Sequence, residues 1–371
     1  MSVIENECGN GLNIICKNDK IKYYYYYYYW LRDHCKCDNC YNKITLQKKI
    51  DLIDIPIEIK AKNYSIDGDE LNIVWDDEHR SKYSLEYLKE LTFDNHRNKL
   101  IRNYVLWTKD DIIKYDVCHV DYKKILESDE GIYSVMKSLV DYGVGFIENV
   151  PPNVKSTEEV ILKLSHVQNT VFGSMWQFSD DMDHNDTAYT KQYLGPHTDN
   201  TYFTEAAGLQ VLHCINHTGT GGENFLIDGF KAIEILKENF PDTFTRLTLI
   251  EVEAEYLEPG YHYTFSGPLI KLHPVTKQPE QIRYNIHDRA PVTIPQDQIL
   301  QHYNDLRILG SIIKNPDLEW KFKLNPGTVL IFDNFRILHG RTSYTGHRTM
   351  CGCYIGRGDF LSKARVLKLI N

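Results

Sequence analysis

Residues 326–340 read Pro326-Gly327-Thr328-Val329-Leu330-Ile331-Phe332-Asp333-Asn334-Phe335-Arg336-Ile337-Leu338-His339-Gly340. A Pro-Gly turn opens an extended apolar run, and the run ends on a histidine. Short strand candidates of the same kind recur upstream at residues 211–215, 225–227 and 282–285. Residues 230–236 and 298–312 are the clearer helices, and residues 122–139 carry apolar positions at irregular helical spacing. In residues 156–167, Val160, Leu162, Leu164 and Val167 share most of one helical face, while Glu158, Glu159 and Lys163 reach water. Residues 141–147 read as a turn followed by a strand. Many short strands interrupted by a few helices fit a mainly β fold with flanking helices, a double-stranded β-helix or jelly-roll, better than a βαβ repeat. There is no internal repeat and no phosphate loop of the Gly-x-x-x-x-Gly-Lys kind.

At 371 residues the chain is long for one average domain, so two are expected. Residues 23–29 are an unbroken tyrosine tract ending in Trp30, and aromatic residues favour strands. The tract therefore belongs to a small N-terminal β unit, joined by the strand Leu71-Asn72-Ile73-Val74-Trp75 and a short helix at residues 84–91. The polar residues 94–103 serve as the linker, which sets the domains at residues 1–100 and 101–371. A formal charge of −9 argues against a nucleic-acid footprint. No stretch approaches the ~20 apolar residues that cross a bilayer. Residues 1–20 resemble neither a signal peptide nor an Arg-rich transit leader, so a cytosolic location is the default expectation.

Working upstream from His339, the next informative segment is Leu194-Gly195-Pro196-His197-Thr198-Asp199. His197 and Asp199 are two residues apart and share one side of an extended chain. Two neutral imidazoles and one carboxylate hold Fe(II) on one triangular face and leave positions open for oxidant and co-substrate. His339 at the distant strand end supplies the second imidazole. A second constellation lies near the N-terminus. Cys35, Cys37 and Cys40 put three thiols within six residues, and His79 follows. Three thiolates and an imidazole form a closed set suited to structural zinc. His34 competes with His79 as the nitrogen ligand, and Cys37-x-x-Cys40 also reads as a redox pair. The nine cysteines, odd in number and unevenly spread, point to thiols and a metal site rather than a disulfide framework.

Several blocks extend the pattern: His197-Thr198-Asp199-Asn200-Thr201-Tyr202-Phe203, Gln210-Val211-Leu212-His213-Cys214, Gly219-Thr220-Gly221-Gly222, Asp228-Gly229-Phe230, Ile282-Arg283-Tyr284-Asn285 and Asp333-Asn334-Phe335-Arg336-Ile337-Leu338-His339-Gly340-Arg341. With Asp186-Thr187-Ala188-Tyr189-Thr190 and Cys351-Gly352-Cys353-Tyr354, they make the chain resemble the gamma-butyrobetaine and trimethyllysine dioxygenase family over about residues 30–369. The resemblance implies a double-stranded β-helix, Fe(II), 2-oxoglutarate as cosubstrate, ascorbate as reductant, a homodimer and a mitochondrial alternative to the cytosol. The implied reaction, on the trimethyllysine side of the family, hydroxylates Nε-trimethyllysine at carbon 3 and yields succinate and CO₂, the first step of carnitine biosynthesis. The alternatives are a gamma-butyrobetaine hydroxylase and a zinc-bearing binding or scaffold protein without catalysis.

Residue roles follow from the same resemblance. Arg348, on the strand expected after His339, matches the arginine that pairs with the distal carboxylate of 2-oxoglutarate, a task suited to a guanidinium fork. Arg341 and Arg336 lie nearby. Asn224 stands where related enzymes place a hydroxyl near that carboxylate. A quaternary ammonium donates no hydrogen bond, so aromatic faces must recognise it; Trp176, Tyr189 and Tyr354 resemble the family's cage, with Phe172 as a fourth wall. Asp186 falls where the butyrobetaine branch has an asparagine, and an aspartate there attracts the α-ammonium of trimethyllysine. Tyr284 and Asn285 are expected to hold the amino-acid head. The resemblance also favours Cys35, Cys37, Cys40 and His79 as the zinc set.

Overall fold

Alternation along the tyrosine tract decides the first unit. The computed structural model describes residues 2–17, 21–115, 117–179 and 187–371. Tyr26 and Tyr28 are buried whereas Tyr25 and Tyr27 face water, the period of two that a strand imposes. The tract does not stay extended, however. It contributes the end of a strand and the first turn of a helix, because Tyr28 packs edge-on against Trp75 and Leu31 joins the same core.

The chain divides into two compact units, residues 1–100 and 101–371. In the first, β1 (Ser2–Glu5), β2 (Gly11–Lys17) and β3 (Ile21–Tyr27) form one antiparallel sheet, followed by α1 (Tyr28–Asp33) and the small hairpin of β4 (Tyr41–Asn42) and β5 (Gln47–Lys48). A second sheet is built from β6 (Ala61–Asp67), β7 (Glu70–Trp75) and β8 (Arg80–Ser84). Leu12, Ile14, Tyr26, Leu71, Ile73 and Trp75 of the two sheets meet in one core. Ser84 accepts a hydrogen bond from Tyr87 N and caps α2 (Leu85–Glu90). The expected linker is instead mostly helical, α3 (Phe93–Leu100). It buries no residue, and Thr92 Oγ1 accepting from Asn95 N opens it, so its polar sequence reflects solvent on every side.

The second unit begins with α4 (Lys109–Lys114), β9 (His119–Asp121), α5 (Tyr122–Glu127), α6 (Asp129–Asp141), β10 (Val144–Glu148), α7 (Val154–Leu164), β11 (Trp176–Phe178) and β12 (Leu194–His197). It continues with β13 (Leu209–His217), β14 (Asn224–Asp228), α8 (Gly229–Asn239), α9 (Pro241–Leu249), β15 (Glu251–Glu258), β16 (Tyr261–Pro268), β17 (Ile270–Leu272) and β18 (Pro279–Ile282). The last elements are α10 (Gln296–Ile313), β19 (Trp320–Phe322), β20 (Val329–Asp333), β21 (Ile337–Arg341), β22 (Arg348–Ile355) and α11 (Arg357–Val366). Two sheets dominate, ordered β11-β22-β13-β20-β10-β9 and β12-β21-β14-β19. Leu212, Leu330 and Phe332 from the first share a buried cluster with Leu226 and Ile337 from the second. No helix among the described residues is long and apolar enough to cross a membrane.

Three further sequence expectations, all in the second unit, change in detail. The run leading to His339 is two strands, β20 and β21, in different sheets, and residues 334–336 carry the chain from one to the other. That crossing is held by a fully buried ion pair, Arg336 Nη2 to Asp228 Oδ2 at 2.8 Å, with Arg336 also donating to the carbonyls of Val105 and Asp141. Residues 122–139 break at Ser128, whose extended backbone ends α5 while its hydroxyl accepts from Gly131 N to begin α6. In α7, Leu162 is exposed and Ile161 takes its place in the core.

Candidate metal centre and active site

His197 ends β12, and His339 lies in the middle of β21, its direct antiparallel partner. Side chains opposite one another across such a pair project to the same face, and the two imidazole centroids are 4.2 Å apart. Asp199 lies just past the strand, where its backbone is fixed by one side chain. Asn334 Oδ1 accepts from Asp199 N at 2.8 Å, and Asn334 Nδ2 donates to Asp199 O at 3.0 Å and to Ala207 O at 3.0 Å. The next residue, Asn200, turns the chain with φ of 59°.

The resulting triangle is tight. Asp199 Oδ1 lies 3.1 Å from His197 Nε2 and 3.7 Å from His339 Nε2. Bonds of about 2.1 Å meeting at right angles would separate neighbouring donors by about 3.0 Å. The three side chains therefore fit one face of an octahedral ion. His197 Nδ1 is 2.8 Å from Gly195 O, an atom that only accepts, so Nδ1 carries the proton and Nε2 keeps its lone pair. Burial pushes His339 down to about 3, leaving its imidazole neutral as ligation requires. Burial also opposes charge on His197, but the Asp199 carboxylate outweighs it and raises the pKa. For Asp199, burial works upward, and the two histidines with the Tyr354 hydroxyl more than reverse it.

A cavity opens over the triangle. At one end lies Arg348, buried, with Nη2 donating to Asn224 Oδ1 at 3.2 Å. Asn224 Nδ2 is also buried and has no hydrogen-bond partner among the described residues. A buried guanidinium without a carboxylate and a buried amide donor without an acceptor are both costly, and a dicarboxylate reaching this end relieves both. The other two arginines are engaged by protein acceptors, although Arg341 also lines this cavity. Arg336 is held by Asp228 outside this cavity, and Arg341 donates to the carbonyls of Thr187 and Thr190, anchoring the segment that carries Tyr189.

At the aromatic end, Trp176 and Tyr354 have ring centroids 5.6 Å apart. Phe178 links Trp176, at 5.6 Å, to Tyr189, at 5.5 Å. Phe172 also lines the cavity and packs edge-on against Tyr256. The separations suit a cation held within about 6 Å of several ring faces. Sequence reading missed Phe178, although Trp176-Gln177-Phe178 alternates as a strand does and so turns both rings to one side. Tyr354 has a second contact that was not expected: its hydroxyl donates to Asp199 Oδ2 at 2.8 Å.

Asn285 lines the cavity, but its amide is already used. Nδ2 donates to Asp288 Oδ2 at 2.7 Å and to Thr198 O, while Oδ1 accepts from the backbone of His287 and Asp288. It organises a turn that brings Asp288 to the cavity wall, an acidic residue sequence reading did not single out. Tyr284 is not gathered into this site. It lies two residues past Ile282, the last residue of β18, and its side chain lines a separate cavity. Asp186 lies outside the described residues.

In the N-terminal unit, the Sγ atoms of Cys35, Cys37 and Cys40 lie 3.4, 3.7 and 3.7 Å from His79 Nε2. A tetrahedral ion with S bonds of about 2.3 Å and an N bond of about 2.05 Å separates S from N by about 3.6 Å. The four donors fit it. His34 is turned away, stacked on Trp30 at 3.9 Å with Nδ1 against Trp30 O. Around the thiols, Arg32 Nη1 donates to Cys40 Sγ at 3.4 Å and its guanidinium pairs with Asp77, while Asp77 Oδ1 accepts from His79 N. Burial and the Arg32 charge lower the His79 pKa, which favours the neutral ring that ligates.

These sheets and this site define a class. Residues 109–354 match the family described as taurine catabolism dioxygenase TauD, TfdA, and the chain belongs to that family as a 2-oxoglutarate-dependent oxygenase. Residues 9–89 match the gamma-butyrobetaine hydroxylase-like N-terminal family. Among individual proteins, the chain is 39% identical to the mitochondrial trimethyllysine dioxygenases of Bos taurus and Homo sapiens over 345 residues, 92% of this chain and 82% of each relative. It is 27% identical over 348 residues to the gamma-butyrobetaine dioxygenase of Homo sapiens, covering 91% of this chain and 90% of the relative. Two solved structures share the fold. A taurine dioxygenase described as putative and alpha-ketoglutarate-dependent, from Burkholderia xenovorans, has a TM-score of 0.51 at 17% identity, covering 65% of this chain and 89% of its own. AAD-2 in complex with Mn(II) and N-oxalylglycine has a TM-score of 0.52 at 15% identity, covering 65% and 96%.

Proposed function

We propose that the chain hydroxylates Nε-trimethyllysine at carbon 3, consuming 2-oxoglutarate and O₂ and releasing succinate and CO₂, as the entry step of carnitine biosynthesis. The observation that carries this reading is the order of groups in one cavity: an aromatic cage, a two-histidine, one-carboxylate triangle, and a buried Arg348–Asn224 pair. His197, Asp199 and His339 would hold Fe(II). When bound, the ion with 2-oxoglutarate supplies the O₂-activating chemistry, and ascorbate keeps the ion reduced. Arg348 and Asn224 fix the far carboxylate of the cosubstrate and thereby its register against the triangle. Trp176, Phe178, Tyr189 and Tyr354 stabilise the trimethylammonium by their faces and exclude hydrated cations. Asp186, from the sequence resemblance, attracts the α-ammonium, and Asp288 on the cavity wall holds the Asn285 turn. With both ends of the substrate held, a single methylene faces the triangle.

The topology is that of a double-stranded β-helix, with residues 1–100 as a zinc-stabilised accessory domain through Cys35, Cys37, Cys40 and His79. The working form is a homodimer, and the location is the mitochondrion named for the animal relatives. The test uses anaerobically purified, iron-loaded protein with 2-oxoglutarate and a panel of quaternary amines, reading products by mass. A gain of one oxygen on trimethyllysine, with equimolar succinate, supports the reading. Turnover of gamma-butyrobetaine in preference to trimethyllysine overturns it.

A further inference from the structure

One helix face poses a separate question. In α10, Tyr303, Leu306, Arg307, Gly310, Ser311 and Lys314, the last being its C-cap, recur at spacings of three and four and so form one stripe. Its centre is small: a side chain at Gly310 would meet only the Tyr284 hydroxyl, 3.2 Å away. This stripe forms one wall of a cavity of about 380 Å³, within the ~300–1,000 Å³ usual for ligand pockets. Val252, Leu269 and Val292 make an apolar lining, and Arg307 and Lys314 stand exposed at the rim with Arg289.

Two buried side chains line the same space, each with one nitrogen that has no hydrogen-bond partner among the described residues. Arg283 is 7% exposed; its Nη2 donates to Thr201 O and Phe265 O, but Nη1 has no acceptor. His302 is 1% exposed, and its Nδ1 is likewise unpartnered. Among the described residues, the one acidic residue on the wall is Glu253. Leaving a buried guanidinium N–H unmatched is costly, whereas a carboxylate oxygen accepting from Nη1 matches it with a charge-assisted hydrogen bond.

We infer that this second cavity is a binding site for a small carboxylate with an apolar body, distinct from the active site and coupled to it. The coupling is short. Residues 283–285 separate the two cavities: Arg283 holds Thr201 O, Tyr284 O accepts from Thr198 N at 2.8 Å, and Asn285 lines both spaces. Residues 198–201 carry Asp199, so a ligand that draws on Arg283 acts on the segment positioning the metal triangle.

Octanoate is the probe, with octanol and inorganic phosphate as the neutral and headgroup-only arms, titrated calorimetrically into the full chain. One saturable octanoate site per chain is expected, with at least 10-fold weaker binding of either control. Saturating N-oxalylglycine should leave one saturable octanoate site per chain while shifting its affinity by about two- to fivefold, the reciprocal of the coupling, which separates this site from the active site whatever the enzyme's substrate. Arg307→Glu combined with Lys314→Glu, both at the exposed rim, should weaken octanoate at least 10-fold without changing the melting temperature in its absence. Ser311→Phe, which fills the cavity from an exposed position, should abolish binding. Absence of saturable binding, displacement by N-oxalylglycine, or unchanged affinity in both variants overturns the assignment.

Discussion

The Tyr354 hydroxyl donates a 2.8 Å hydrogen bond to Asp199 Oδ2, so one tyrosine presents its ring to the aromatic cage and its oxygen to the metal triangle. Asp199 uses Oδ1 toward the two histidines and is held in that orientation through Oδ2. Such an outer partner orients a ligand and tunes its basicity.

Tyr354→Phe should therefore separate two properties that usually change together. The ring remains, so a trimethylammonium inhibitor should bind within about threefold of wild type. Loss of the charge-assisted bond should weaken Fe(II) retention and kcat/KM by about 10 to 100-fold. Anaerobic Fe(II) titration beside inhibitor binding reads both. Wild-type iron affinity in the variant would show that the bond does not position Asp199.

The N-terminal cluster makes a prediction independent of catalysis. Metal analysis of the full chain should return about one tightly held zinc beyond exchangeable iron, as a closed three-thiolate, one-imidazole set demands. Cys37→Ser should release that zinc and lower the melting temperature, with a smaller effect on turnover per folded molecule. His34→Ala should leave zinc in place, because that ring stacks on Trp30. Protein that is zinc-free after metal-replete expression would remove the site.

His213 supplies a pH dependence. Its Nδ1 lies 2.7 Å from Thr157 Oγ1, which itself donates to Asn153 O, so His213 is the donor, and its buried Nε2 has no partner among the described residues. Burial depresses its pKa from 6.5 to about 4. The unfolded chain then binds a proton between those values that the native state refuses, and stability falls as pH drops through this window and levels below it. The cost is on the order of 1–3 kcal/mol. His213→Asn, which keeps a donor toward Thr157 but does not titrate, should flatten the melting temperature between pH 6.5 and 4 relative to wild type. Parallel pH profiles for the two proteins would contradict this.

What the sequence made legible was whatever repeats at the period of an element or recurs at a ligand spacing. His197, Asp199 and His339 could be chosen because a two-residue step and a histidine closing an apolar run are local patterns, although His339 proves to lie in the middle of β21, and β7, β13, β14 and β20 followed from apolar runs. What it hid depends on pairing between distant segments. Nothing local announces that His197 faces His339 across a strand pair, that Asn334 clamps Asp199, or that residues 326–340 change sheets at a buried arginine. Tyr284 is a case of the same kind: it adjoins Asn285 in sequence, but residues 283–285 lie past the end of β18, where no alternation fixes which way a side chain turns, and its ring lines the other cavity.

Substrate choice provides the last prediction, and it rests on charge. Trimethyllysine and gamma-butyrobetaine offer the same trimethylammonium to the cage, so discrimination must come from the other end. There trimethyllysine has an α-ammonium that butyrobetaine lacks. Asp288 lines the cavity but already accepts from Asn285 Nδ2 at 2.7 Å, so its first task is to hold the turn. Asp186, at the position where the butyrobetaine branch resembles an asparagine, is therefore expected to make the ammonium contact. Losing a partly desolvated, charge-assisted hydrogen bond costs about 1.5 to 3 kcal/mol, or about 10 to 100-fold in kcat/KM. Asp186→Asn should lower trimethyllysine turnover by that factor and narrow the preference over butyrobetaine. Asp288→Asn should raise KM for both substrates and leave the preference standing. Competing the two substrates against wild type and each variant gives the measurement. If the preference collapses in Asp288→Asn and survives in Asp186→Asn, the ammonium contact belongs to Asp288 instead.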